Sequence, residues 1–130
     1  MSLAKVELLG LFALQGGIMT KKILSGKIPD EVFKFVNEEL HKIQNGEIIF
    51  IAQDGYLMQV EVRQRKRIAD WQEENLPLDE KIFTAIEKNI RQEFSKLDYG
   101  QLSIKIQKGR VTQIERLVRQ RFTGLDGEGI

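Results

Sequence analysis

Two stretches of this chain repeat each other at a fixed spacing, and that limits the folds open to it. Gly46, Gln53, Gly55, Gln59 and Glu61 recur as Gly100, Gln107, Gly109, Gln113 and Glu115, always 54 positions later. The offset continues into a basic stretch, where Arg65 and Arg67 recur as Arg119 and Arg121. At 130 residues the chain holds one domain or two very small ones. A half of roughly 50 residues buries too little surface to stand alone, so the two copies are expected to share one core.

Each copy opens with a helical pattern. From Ile28 to Gln44, the residues Val32, Phe33, Val36, Leu40 and Ile43 fall on one face at helical spacing. Pro29 suits the first turn, and Asp30 and Glu31 suit the positive end of the helix. Gly46 is placed to close the helix in a left-handed conformation. A second helix is expected from about Asp79 to Leu97, with Ile82, Phe83, Ile86, Ile90, Phe94 and Leu97 on its buried face. Val32, Phe33, Val36 and Leu40 align with Ile82, Phe83, Ile86 and Ile90 at an offset of 50 rather than 54. The second helix should therefore be about one turn longer, which leaves its buried face unchanged.

A β-hairpin follows each helix. In the first, Glu47–Ala52 and Tyr56–Arg67 flank the turn signal Asp54-Gly55. A two-residue loop would set Phe50 opposite Gln59. A three-residue loop, Gln53-Asp54-Gly55, sets Ile48 opposite Val60 and Phe50 opposite Met58, apolar against apolar. Register follows the buried face, so the longer loop is favoured. In the second copy it would set Leu102 opposite Ile114.

The resulting fold class is α+β. A tandem helix–β-hairpin (αββ-αββ) repeat forms a pseudo-twofold two-layer sandwich, with a four-stranded, mostly antiparallel sheet. This is what a homodimer of a single-repeat protein becomes after duplication and fusion. The segments divide as an N-terminal extension (1–27), the first repeat (28–68), a linker (69–77), the second repeat (78–122) and a flexible glycine-rich tail (123–130). The linker is polar and carries Pro77, while Trp71 within it reads as local packing. The run Leu8-Leu-Gly-Leu-Phe-Ala-Leu14 is far below the ~20 residues that span a bilayer. Glu7 and Gln15-Gly-Gly do not fit a signal peptide, and no membrane contact is expected.

The second copy, from Tyr99-Gly100 through Gln113-Ile114-Glu115 to Arg121-Phe122, resembles the YezD-like family of small bacterial proteins, whose function is unknown. The first copy resembles it more loosely, through Gly46, Gly55, Gln59-Val60-Glu61 and Arg67-Ile68. This chain departs from the family pattern at Lys108, at Leu117-Val118 and in carrying two repeats. The resemblance implies a bacterial origin and supports the fold, and it implies no activity.

The composition closes off much chemistry. There is no cysteine, which excludes disulfides, thiolate metal sites and cysteine nucleophiles, and which suits a reducing cytoplasm. His41 is the only histidine, and Arg91 stands at its counterpart in the second helix. A solvated surface histidine is the simpler reading than a general base. A zinc site would need carboxylates at unsuitable spacing. Gly16-Gly17 lacks the strand-to-helix context of a phosphate loop. Glu61 and Glu115 recur, but beside arginines in a strand they read as cross-strand ion pairs. No enzyme activity, cofactor or metal is expected.

Binding is the remaining class. Alternation places Gln59, Glu61, Arg63, Arg65 and Arg67 on the sheet face opposite the helices, and Gln113, Glu115, Leu117, Arg119 and Arg121 likewise. Arg63, Arg65, Arg67, Arg119 and Arg121 are candidate phosphate contacts for a nucleic acid. The sheet offers few aromatic side chains for stacking, and a net charge of +1 gives no overall pull on a polyanion. Ile49 and Ile51 also point to the outer face, where the second copy has Ser103 and Lys105. That apolar patch needs a cover, either Leu8–Leu14 or another protein. The first expectation is a cytoplasmic, non-enzymatic binding or regulatory domain acting through contact with an unknown protein or with itself. Nucleic-acid binding is the alternative.

Overall fold

The architecture comes from a computed structural model, which describes residues 2–7, 22–66, 68 and 78–120. It is α+β, with two helices on one face of an antiparallel sheet. In chain order the strands are β1 (Ser2–Glu7), β2 (Ile23–Leu24), β3 (Asn45–Gln53), β4 (Tyr56–Arg65), β5 (Gly100–Gln107) and β6 (Arg110–Val118). The helices are α1 (Asp30–Leu40) and α2 (Glu80–Phe94). Across the sheet the order is β1-β4-β3-β5-β6, with β2 beside β1 on the same edge of β4. The expected four strands are therefore the centre of a wider sheet. In a four-stranded sheet β4 would have an unpaired outer edge, and the N-terminal segment supplies two pieces that pair with it.

The helices start and stop for local reasons. Asp79 caps α2, its side chain accepting a hydrogen bond from the Lys81 N–H at 2.9 Å. Pro29 sits at the cap position of α1 rather than within its first turn. The two helices hold 11 and 15 residues, the expected one-turn difference, but their C-caps His41 and Ser95 stay 54 apart, so the extra turn lies at the start of α2 and Val32 corresponds to Ile86 rather than to Ile82. Their apolar faces meet β3 to β6 in one core. Phe50 of β3 lies at its centre, with ring centroids 6.2 Å from Phe33 of α1 and 5.6 Å from Phe94 of α2. One ring from the first hairpin thus touches both helices.

The central seam is the antiparallel pairing of β3 with β5. It sets Ile49 opposite Ser103, Ile48 opposite Ile104 and Phe50 opposite Leu102. Ile49 and Ser103 are matching positions, 54 residues apart, so the register is centred on them. The hairpin tips reinforce the seam reciprocally. The Gly55 N–H donates to the Asp98 carbonyl and the Gly109 N–H to the Gln44 carbonyl, both at 2.9 Å.

The hairpins differ from the expected geometry. Both turns have two residues, Asp54-Gly55 and Lys108-Gly109, with φ of 55° and 80° and of 51° and 76°. Positive φ at both central positions is the type I′ signature. The ladder then shifts by one residue between Ile51 and Ala52, and again between Lys105 and Ile106. Phe50 consequently faces Val60 and Ile48 faces Val62, while Ile104 faces Ile114 and Leu102 faces Arg116. The bulge keeps apolar side chains on the helix side without a longer loop. Met58, the extra residue, is left exposed.

Gly46 is the second strand residue of β3, not a helix cap. A side chain there would overlap the Arg63 carbonyl, and one at Gly100 would overlap the Leu117 carbonyl. The partner strand comes so close that only glycine fits. Gly46→Ala and Gly100→Ala should each cost about 3 kcal/mol, since backbone rather than a movable side chain must give way. Urea denaturation measures this. A loss below about 0.5 kcal/mol, the range of a neutral surface change, would contradict the close approach.

Candidate protein-interaction surface

The two halves of the core are not equally covered. On the first side, Ile23 and Ile28 join the core cluster with Val32 and Val36 of α1, and Ile23 stands opposite Leu57 of β4. On the second side, β6 pairs with β5 alone among the described strands. The consequence appears on α2. Ile82 is 53% exposed, whereas Ile28, 54 positions earlier, is 4% exposed. Lys81, Ile82, Ala85, Ile86 and Asn89 of α2, with Ile114 of β6, line an open apolar groove along that edge. Leu117 and Val118, at the far end of β6, are 49% and 59% exposed.

Ile82 and Ile86 read in the sequence as ordinary core positions. Ile86 is indeed buried, and Ile82 is not. The distinguishing signal is the offset itself, since at 54 it is Ile86 that aligns with Val32 while Ile82 falls in the extra first turn. At that offset Phe35, packed against the core, has Asn89 of the groove as its counterpart. The second half therefore carries a smaller, polar side chain where the first has a phenylalanine.

The charges around this edge are mostly engaged. Arg116 of β6 reaches Glu93 of α2 at 3.4 Å, and Glu115 reaches Lys105 at 3.2 Å. The C-cap place of His41 is taken in α2 by Ser95, and Arg91 lies one turn earlier. It bonds the Ile28 carbonyl at 2.6 Å, Asp30 at 2.9 Å and Glu87 at 3.0 Å, and stacks 4.3 Å from the Phe33 ring. This ties α2 to the start of α1. His41 is exposed, with Nδ1 2.7 Å from the Asn37 carbonyl oxygen. It borders a cleft shared with Asn37, Leu78, Glu80, Phe83 and Thr84. Among the described residues no group of three or more His, Cys, Asp or Glu side chains could hold a metal ion.

The candidate arginines are not brought together. Arg63 is held by Glu47 at 3.1 Å and Glu61 at 3.5 Å. Arg65 is level with Asn45, at one end of the sheet. The Arg119 N–H bonds the Tyr99 carbonyl, one step beyond the Gly100–Val118 pair, which puts it level with Gln53 at the other end. Those levels are about 27 Å apart along the strands, and β4 and β6 are separated by two further strands. Arg67 and Arg121 lie outside the described residues, as do Leu8–Leu14, Trp71 and the segment 123–130. On the outer face, Ile49 is 2% exposed and Ile51 half-buried. Glu61 is also buried, whereas its counterpart Glu115 is exposed. No helix among the described residues is long and apolar enough to cross a membrane.

Residues 86–122, less than a third of the chain, match the model of a family described as uncharacterized small protein (DUF2292). The matched stretch runs from the middle of α2 through both strands of the second hairpin. No curated protein and no solved structure matches the chain.

The unequal cover predicts unequal tolerance of charge. Ile82→Glu should leave stability within about 0.5 kcal/mol of the parent, as for other exposed positions. Val32→Glu should abolish cooperative folding, because it buries an unpaired carboxylate. Thermal melts followed by circular dichroism separate the two. Equal losses at both positions would mean that Ile82 is covered after all.

Proposed function

We propose that this chain is a non-enzymatic protein-binding domain of the bacterial cytoplasm that binds through the groove between α2 and the β6 edge. In the same reading it is a tandem repeat of a YezD-like helix–hairpin unit, closed on itself like a fused dimer. The 54-residue recurrence, the seam centred on Ile49 and Ser103, and the reciprocal glycine hydrogen bonds support that second part. The observation that carries the binding role is the exposure of Ile82 where Ile28, 54 residues earlier, is sealed. An apolar groove with Ile82 exposed, beside a strand edge unpaired among the described residues, suits a polypeptide partner. Such a partner pairs its backbone with the edge and places apolar side chains in the groove.

The alternative, nucleic-acid binding through the outer-face arginines, has less support. Arg63 is already satisfied by two carboxylates, and Arg65 and Arg119 stand too far apart to form one basic patch.

The test compares the parent with Ile82→Glu and Arg65→Ala as bait for bacterial cell extract, followed by titration of any purified partner. Groove-dependent binding should weaken by at least about tenfold in Ile82→Glu, a loss of about 1.4 kcal/mol, and survive in Arg65→Ala. Binding that ignores Ile82→Glu, or that follows Arg65 and falls steeply with salt, would overturn the groove as the binding surface.

A further inference from the structure

We infer that a second copy of this chain occupies the groove, pairing β6 with β6 antiparallel about a twofold centred on Ile114. This rests on the groove being a protein-binding surface and names what binds there. A free strand edge is a template for another strand, and β6 is free along its nine residues among the described elements. A twofold interface sets each residue against the partner's matching position, so whatever stands at the centre meets itself.

A twofold that keeps both helix layers on one side of a continuous sheet leaves few centres. Centring on Glu115 opposes two carboxylates, and centring on Arg116 opposes two guanidinium groups. Like charges directly opposite destabilise a ladder. Centring on Ile114 sets isoleucine against isoleucine. On the other face it sets Gln113 against Glu115 of the second copy, where an amide N–H donates to a carboxylate. Centring on Leu117 also avoids like charges, but leaves both grooves open. The Ile114 centre brings the grooves together, because Ile114 itself lines the groove with Ile82, Ala85 and Ile86. The small Ala85 side chain lets the two α2 helices approach. Ile82, half exposed in the single chain, becomes the apolar contact between them.

The chain has no cysteine, so single introduced cysteines report the register without background. The full chain should sediment as a concentration-dependent dimer, and Ile82→Glu should weaken dimerisation by at least about tenfold. Under mild oxidation Ile114→Cys should form a disulfide-linked dimer efficiently and Leu117→Cys should not. The Leu117 pair would stand six residues out of register on two strands, well beyond disulfide reach. A chain that stays monomeric at its highest soluble concentration, with no crosslink at position 114, overturns the inference. Preferential crosslinking at Leu117 overturns it too. If the monomer still captures a different protein in an Ile82-dependent way, only this inference fails and the groove keeps its binding role. Loss of both removes the two readings together.

Discussion

The pairing of β3 with β5 is the constraint on which the remaining structure depends. Each hairpin with its helix has one half of a core and two unpaired strand edges. Joined at this seam, the inner edges vanish and the two apolar faces become continuous. Phe50 then lies against both Phe33 and Phe94, a contact that neither half could make alone. The turn glycines fasten the ends, each donating to the carbonyl that precedes the other copy's first strand. These bonds exist only when the register is centred on Ile49 and Ser103. A slip of one residue would move both turns away from their acceptors and turn every side chain to the wrong face.

From that seam outward the two halves diverge. The β4 edge is closed by β1 and β2, and Val32 and Glu61 are buried there. The β6 edge carries no such cover among the described residues, and Ile82 and Glu115 are exposed. The difference is one of accessory packing, since the helices and hairpins themselves correspond. Phe35, which packs against the core of the first half, has Asn89 at its place in the second. The proposed binding surface is thus a core face that no described residue of the chain covers.

Much of this was legible in the residues. The fixed offset, the two helical stripes and the alternation of Ile48, Phe50, Val60 and Val62 gave the elements and their buried faces. The relative lengths of α1 and α2 were legible too, but not the place of the extra turn, which lies at the start of α2 while the helix ends keep the offset of 54. Loop length was not legible. Two-residue turns with a following bulge and three-residue turns without one place apolar side chains on the same face, and Met58 and Thr112 share no property that marks an extra residue. Gly46 looked like a helix cap because it follows a helical pattern. Its actual role depends on how closely β4 approaches, which is a tertiary fact. β2 is two residues long and gives no periodic signal. The arginines seemed to form one set because they recur in sequence. The opposed directions of β4 and β6 carry them to opposite ends of the sheet.

The pair at the centre of the seam limits how far the two halves are interchangeable. Every other position in one half meets a different position in the other, so a change there can be matched elsewhere. Residues 49 and 103 meet each other, isoleucine against serine, with Ile49 almost wholly enclosed. Were either half released to pair with a twin of itself, it would bring two isoleucines or two serines to that point. The two halves therefore meet at this point as unlike partners, and replacing one by a twin of the other would change the pair at the centre of the sheet.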